Sequence, residues 1–155
     1  MNKRKYSAVL RLAALLLAVI MFLPMGAKAV EETVQPRASD YLSSYNAYVY
    51  SAGWGNIQVY FNVTGYGYLE AIGALSIDIY ESKDNETWTW KTVYNSEDNP
   101  GMLSYNDNYH SGYVEYDGVV GRYYKAYVCI WGGKNGDGDT RYFWTPTEKA
   151  TLFAG

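Results

Sequence analysis

The 155-residue chain predicts an all-β domain, a single antiparallel β-sandwich of about seven strands. Two observations lead there. From Tyr41 onward, apolar and polar residues alternate in short runs, and no helical period survives beyond one turn. The chain also carries 18 Tyr and 5 Trp with little leucine after residue 30, a composition that suits the pleated, half-buried surface of a sheet. Clusters of Gly, Asn and Asp between the runs supply the turns.

Ahead of this domain, residues 1–29 read as a cleaved secretory signal. Lys3, Arg4, Lys5 and Arg11 form a cationic start, an apolar run spans Leu12 to Leu23, and Ala27-Lys28-Ala29 gives a small-x-small cleavage site. The apolar run is too short to cross a bilayer, which needs roughly 20 residues. Residues 30–39 (VEETVQPRAS) are polar, contain Pro36 and lack periodicity, so they read as a flexible leader. The folded domain is expected over residues 40–155. The final TEKATLFAG has neither a hydrophobic tail nor a basic stop, so a released, extracellular product is expected, with no stable membrane insertion.

Within the domain, Tyr45, Ala47 and Val49 alternate in a first strand that Gly53-Trp54-Gly55-Asn56 ends. In the second, Ile57, Val59, Phe61 and Val63 share one face and Gln58, Tyr60 and Asn62 the other, with Gly65 and Gly67 closing it. Leu69 and Ile72 could share one helical turn before alternation resumes at Leu75, Ile77 and Ile79. Lys83–Glu86 is a turn, Thr87–Tyr94 a strand, and Asn95–Asn108 a long polar connection. Further strands are expected at Ser111–Tyr116, Tyr123–Trp131 and Thr140–Thr145.

The segment GRYYKAYVCIW resembles strand F of immunoglobulin and fibronectin type III-like domains, where a tyrosine near the strand start packs at a corner. The resemblance implies that Tyr124 is that tyrosine and that Cys129 faces away from the core. More widely, RASDYLSSYNAYV, EAIGALSIDIYES, ETWTW, HSGYVEYDG, YYKAYV and GGKNGDGDTR resemble a family of small secreted proteins of Gram-positive gut-type bacteria. That resemblance implies a secreted β-sandwich and no mechanism.

Charge narrows the partners. Without residues 1–29 the chain has eight basic and 16 acidic residues, a net charge near −8. Phosphate backbones and anionic membranes need a basic surface, so nucleic acid is excluded as a partner. The single cysteine, Cys129, allows no intrachain disulfide, and a monomer is expected.

Two places invite a functional reading. In GGKNGDGDTR, Asn135, Asp137 and Asp139 alternate as calcium ligands do, but Thr140 and Pro146 stand where a helix–loop–helix site needs glycine and glutamate. The segment Gly132–Asp139 therefore reads first as a connecting loop, somewhat long for a hairpin, and second as a weak calcium site; no other cofactor is expected. Trp88 and Trp90, two apart on one strand, share a face. They read first as core anchors; if exposed, they form a platform for sugar rings or a protein. The lone His110 lacks a nucleophile partner and reads as a loop-edge residue. The leading expectation is thus a secreted, non-enzymatic binding or surface-interaction module for an unknown protein or glycan. A calcium-assisted carbohydrate-binding domain comes second and a small secreted hydrolase third.

Overall fold

The computed structural model describes residues 39–155; the expected signal peptide and all of the expected leader except Ser39 lie outside these residues. Seven strands follow in order: β1 (Leu42–Gly53), β2 (Asn56–Ser82), β3 (Trp88–Asn95), β4 (Leu103–Tyr116), β5 (Tyr123–Lys134), β6 (Asp137–Trp144) and β7 (Glu148–Lys149). A short 3-10 turn at Pro100–Met102 precedes β4. Every strand pairing is antiparallel.

β2 organises the molecule. Its first half pairs with β1 on one side and β4 on the other; its second half pairs with β3 and β5. β6 and β7 extend the second layer from β5. Between Thr64 and Leu69 the register against β4 shifts, because β2 advances five residues while β4 moves only from Tyr109 to Asp107. The surplus residues carry β2 from one layer into the other, as bulged strands do at sandwich corners. The fold is therefore an antiparallel β-sandwich whose layers share one strand, an arrangement compatible with an immunoglobulin or fibronectin type III-like description.

The alternation seen in sequence lines the interior. Ile57, Val59, Phe61 and Val63 of β2 are buried, with Ala47 and Val49 of β1 and Val114 of β4 beside them. Facing them are Ile72, Ala74, Ile77 and Ile79 of β2 and Tyr124, Ala126, Val128 and Ile130 of β5. Each large aliphatic or aromatic side chain so buried contributes roughly 1.5–3 kcal/mol.

The corner tyrosine takes the expected place. The Tyr124 ring is fully buried, and its hydroxyl accepts the Val119 N–H at 2.8 Å and donates to Glu81 Oε2 at 2.6 Å. Burial first, and then the bond to Glu81, push the phenol pKa up, so Tyr124 stays neutral. Glu81 also lies 3.8 Å from Lys91 Nζ and 3.9 Å from Arg122 Nη1.

Several elements differ from expectation. Gly65 and Gly67 do not end a strand, and Leu69 and Ile72 belong to β2 rather than to a helical turn. The long connection after β3 ends early, because β4 begins at Leu103. His110 lies within β4 opposite Val63; its Nε2 meets the Gly101 carbonyl at 2.9 Å and its ring packs on Phe61. The segment Gly132–Asp139 is a hairpin, not a long loop. β5 runs to Lys134, β6 resumes at Asp137, and Asn135 and Gly136 occupy the turn at φ 55° and 78°. Positive φ at both central residues defines the type I′ turn that Asn-Gly favours.

Candidate functional site: an aromatic sheet face

The outer face of the layer β3–β2–β5–β6 gathers most of the indoles. Core residues of β5 alternate at 124, 126, 128 and 130, so Lys125, Tyr127, Cys129 and Trp131 necessarily point outward. Register sets their neighbours. Tyr80 pairs with Trp90 and Lys125, Tyr127 with Asp78 and Trp144, and Cys129 with Tyr142. Four of the five tryptophans, 88, 90, 131 and 144, therefore share this face.

The rings form a chain. Tyr80 meets Trp144 edge-on at 5.0 Å, Trp144 meets Tyr127 at 4.9 Å, and Tyr127 stacks with Tyr142 at 5.9 Å and 20°. Lys125 is wedged between indoles, its Nζ 4.3 Å from the ring centroids of both Trp88 and Trp144. Such contacts are worth about 0.5–1 kcal/mol each at exposed sites, enough to hold the ammonium and both rings in register. Trp90 donates from Nε1 to Asp78 Oδ1 at 2.9 Å, fixing its indole across the strand. Trp131 lies over the glycine pair Gly133 and Gly138, where any Cβ would meet its ring.

Trp88 and Trp90 are thus brought together on one face, but they are not core anchors. Trp90 is 52% exposed, and Tyr142 and Trp144 are 61% and 47% exposed. The reason is position: β3 is an edge strand, paired to β2 alone, and its outward positions have no second layer above them. Cys129 faces away from the core yet is covered by its neighbours; burial pushes its thiol pKa up, which disfavours the thiolate.

Of the three residues weighed for calcium, the two aspartates accept hydrogen bonds from within the chain, and Asn135 serves the hairpin turn. Asn135 sits in the type I′ turn. Asp137 accepts the Tyr41 hydroxyl at 3.1 Å and its neighbour Gly138 N–H at 2.9 Å. Asp139 Oδ2 accepts the Ser39 hydroxyl and the backbone N–H groups of Asp40 at 2.8 Å and Tyr41 at 3.1 Å, while Oδ1 lies 3.7 Å from Arg141 Nη2. The Ser39 hydroxyl, then the two amides and the Arg141 charge, hold the Asp139 pKa below the usual carboxylate range. Asp139 thereby caps the start of β1 from the far end of the chain. No group of three or more His, Cys, Asp or Glu side chains suited to a metal occurs among the described residues.

Sequence reasoning missed Tyr80, Lys125, Tyr127, Tyr142 and Trp144 as members of this face. The signal was present for Lys125 and Tyr127: once one side of β5 is core, the intervening positions must face out. The face spans three strand spacings, or about 14 Å, and sets π surfaces beside one cation and one carboxylate. Such a surface can stack planar apolar faces and hydrogen-bond hydroxyls at their rims. No protein-family model matches the chain, and neither does any curated protein or solved structure.

Proposed function

We propose that this protein is an exported, non-enzymatic binding module that holds carbohydrate on the aromatic face of β3–β2–β5–β6. The observation that carries the reading is the exposure of Trp90, Tyr142 and Trp144 beside Tyr80 and Tyr127 on one sheet face. Pyranose rings present a flat, C–H-rich face that stacks on indole and phenol rings, and equatorial hydroxyls that need polar partners at the edges. Lys125 and Asp78 supply a donor and an acceptor within the aromatic field. An extended polysaccharide suits an open sheet face better than a small ligand, which a closed pocket would enclose.

The reading needs no calcium, since Asp139 spends its capacity on holding β1. It also needs no catalytic pair. Glu81, a carboxylate well removed from solvent, is committed to Tyr124, Lys91 and Arg122. The membership of a Gram-positive secreted family and the processing near Val30 belong to the same proposal, supported by the sequence alone.

Affinity electrophoresis through gels containing neutral polysaccharides tests it. Retardation in at least one gel is expected, with Trp90→Ala plus Trp144→Ala weakening it about tenfold or more, since each lost stack is worth roughly 0.5–1.5 kcal/mol beyond its area. Mobility unchanged in every gel, or unchanged by the double substitution, overturns the carbohydrate reading.

A further inference from the structure

A second group of exposed apolar residues belongs to none of the ring contacts of the aromatic face. Three segments converge at one end of the sandwich: the β1–β2 turn Gly53–Asn56, the β4–β5 connection around Gly118–Gly121, and the residues after β7. Backbone bonds tie them together. The Trp54 N–H donates to the Leu152 carbonyl at 2.9 Å, Gly55 N–H to Thr151 at 3.1 Å, and Gly121 N–H to Ala150 at 2.7 Å. The approach is so close that a Cβ at Gly55 would lie 2.8 Å from the Gly118 carbonyl oxygen and 2.9 Å from Val120 N.

These segments present Trp54 at 77% exposure, Phe153 at 76%, Val119 at 53%, Val120 at 47% and Leu152 at 42%. Trp54 holds φ 57° in its turn, a conformation that Asn or Gly adopts without strain and an indole does not favour. A bulky apolar residue is thus displayed where the backbone alone would select a small polar one.

We propose that this end is a membrane-contacting tip that seats Trp54, Phe153 and the two valines in the interfacial region of a neutral phospholipid bilayer. Charge favours that occupant over others. No side chain at positions 53–56, 118–121 or 151–154 is charged, so none need be dehydrated on entry. The amides of Trp54, Gly55, Gly121 and Arg122 are paired within the tip, and unpaired backbone groups are what lipid penalises most. Charged side chains border these segments at exposed Asp117, at Arg122, which is paired with Glu81, and at Lys149, whose Nζ lies over the Tyr123 ring. The acidic balance of the chain repels anionic lipid, which leaves a zwitterionic surface. Tryptophan suits that boundary because its ring is apolar in body and carries a polar N–H at the edge, and phenylalanine adds apolar area.

The test uses the chain from Val30; among the described residues the buried core runs from Leu42 to Ala150. Co-sedimentation with phosphatidylcholine vesicles is expected, little changed by raising salt. Trp54→Asn relaxes the turn and removes the indole; Phe153→Ser removes the second ring. Each is expected to weaken partitioning about tenfold with no loss of melting temperature. Absence of sedimentation with neutral vesicles, or sedimentation that survives both substitutions, overturns the proposal. So does a concentration-dependent dimer abolished by Trp54→Asn in the absence of lipid, which would make the occupant a second copy of this chain. Polysaccharide retardation should be indifferent to both substitutions, so this result stands or falls apart from the carbohydrate reading.

Discussion

Single side chains set much of the local order, and Tyr124 is the clearest. Its hydroxyl joins the β4–β5 connection, through Val119, to Glu81 on β2. Tyr124→Phe keeps the ring and removes both bonds, leaving the Val119 amide without its acceptor. A loss of about 1–3 kcal/mol in urea denaturation is expected, and an unchanged midpoint would remove the corner from the list of stabilising features. Asp139 acts similarly at the other end. Its folded pKa is depressed, so its contribution is present above the ordinary aspartate value of about 3.9 and is lost as pH falls through the lower folded value. Asp84 and Asp107, lowered first by backbone N–H bonds, share that sign. Stability should therefore hold on the mild side of pH 5 and decline below about 4, and Asp139→Asn should flatten part of that decline in acid titrations followed by circular dichroism. The same variant, with Asp137→Asn, should leave the melting temperature insensitive to millimolar calcium, as should the parent chain.

Elements were legible in proportion to how cleanly they alternate. The inner rows of β2 at 57–63 and of β5 at 124–130 follow period two without interruption, and both lie where the sequence puts them. Continuity of β2 was not legible, because Gly65 and Gly67 resemble terminators. In the fold Gly65 is packed against Leu69 and Gly67 faces open space, so neither stops the pairing that resumes at Leu69. The β5–β6 hairpin was obscured by the flanking glycines 133 and 138, which serve the Trp131 ring rather than the turn. The aromatic face was hidden for a different reason: tyrosine occupies both sides of β5, buried at 124 and outward at 127, so residue type alone cannot assign the side. One position tests the path of β2. Gly73 holds φ 149°, and a Cβ there would collide with the Met102 carbonyl. Gly73→Ala should cost several kcal/mol or abolish folding, whereas Gly67→Ala, with nothing near it, should be tolerated; thermal melts of the two variants make the comparison.

At the scale of the molecule, the shared strand makes the two layers inseparable. β2 contributes a row to each, and β1, β3, β4 and β5 all pair with it. Neither layer can open without breaking the ladder of the other. Equilibrium unfolding should therefore be a single transition, with tryptophan fluorescence, which reads the β3–β6 face, and far-UV circular dichroism coinciding. Separate midpoints would show layers that melt independently. Folding should be slow for this size, because pairings such as Ser82 with Tyr123 and Ile57 with Tyr116 close long stretches of chain.

The capping of β1 by Asp139 has a mechanical side. Ser39, Asp40 and Tyr41 all hang on one carboxylate of the β5–β6 hairpin, 98 to 100 residues away in sequence. A pull on the chain ahead of Ser39 would load those bonds together, side by side, before the first rung between β1 and β2 could be peeled. If the chain were held ahead of Ser39 while the aromatic face bound a polymer as proposed, tension would pass from Asp139 along β6 to Tyr142 and Trp144. Under the proposed binding role, the load would then run along β6, a strand of the aromatic face, rather than through the interior of the sandwich.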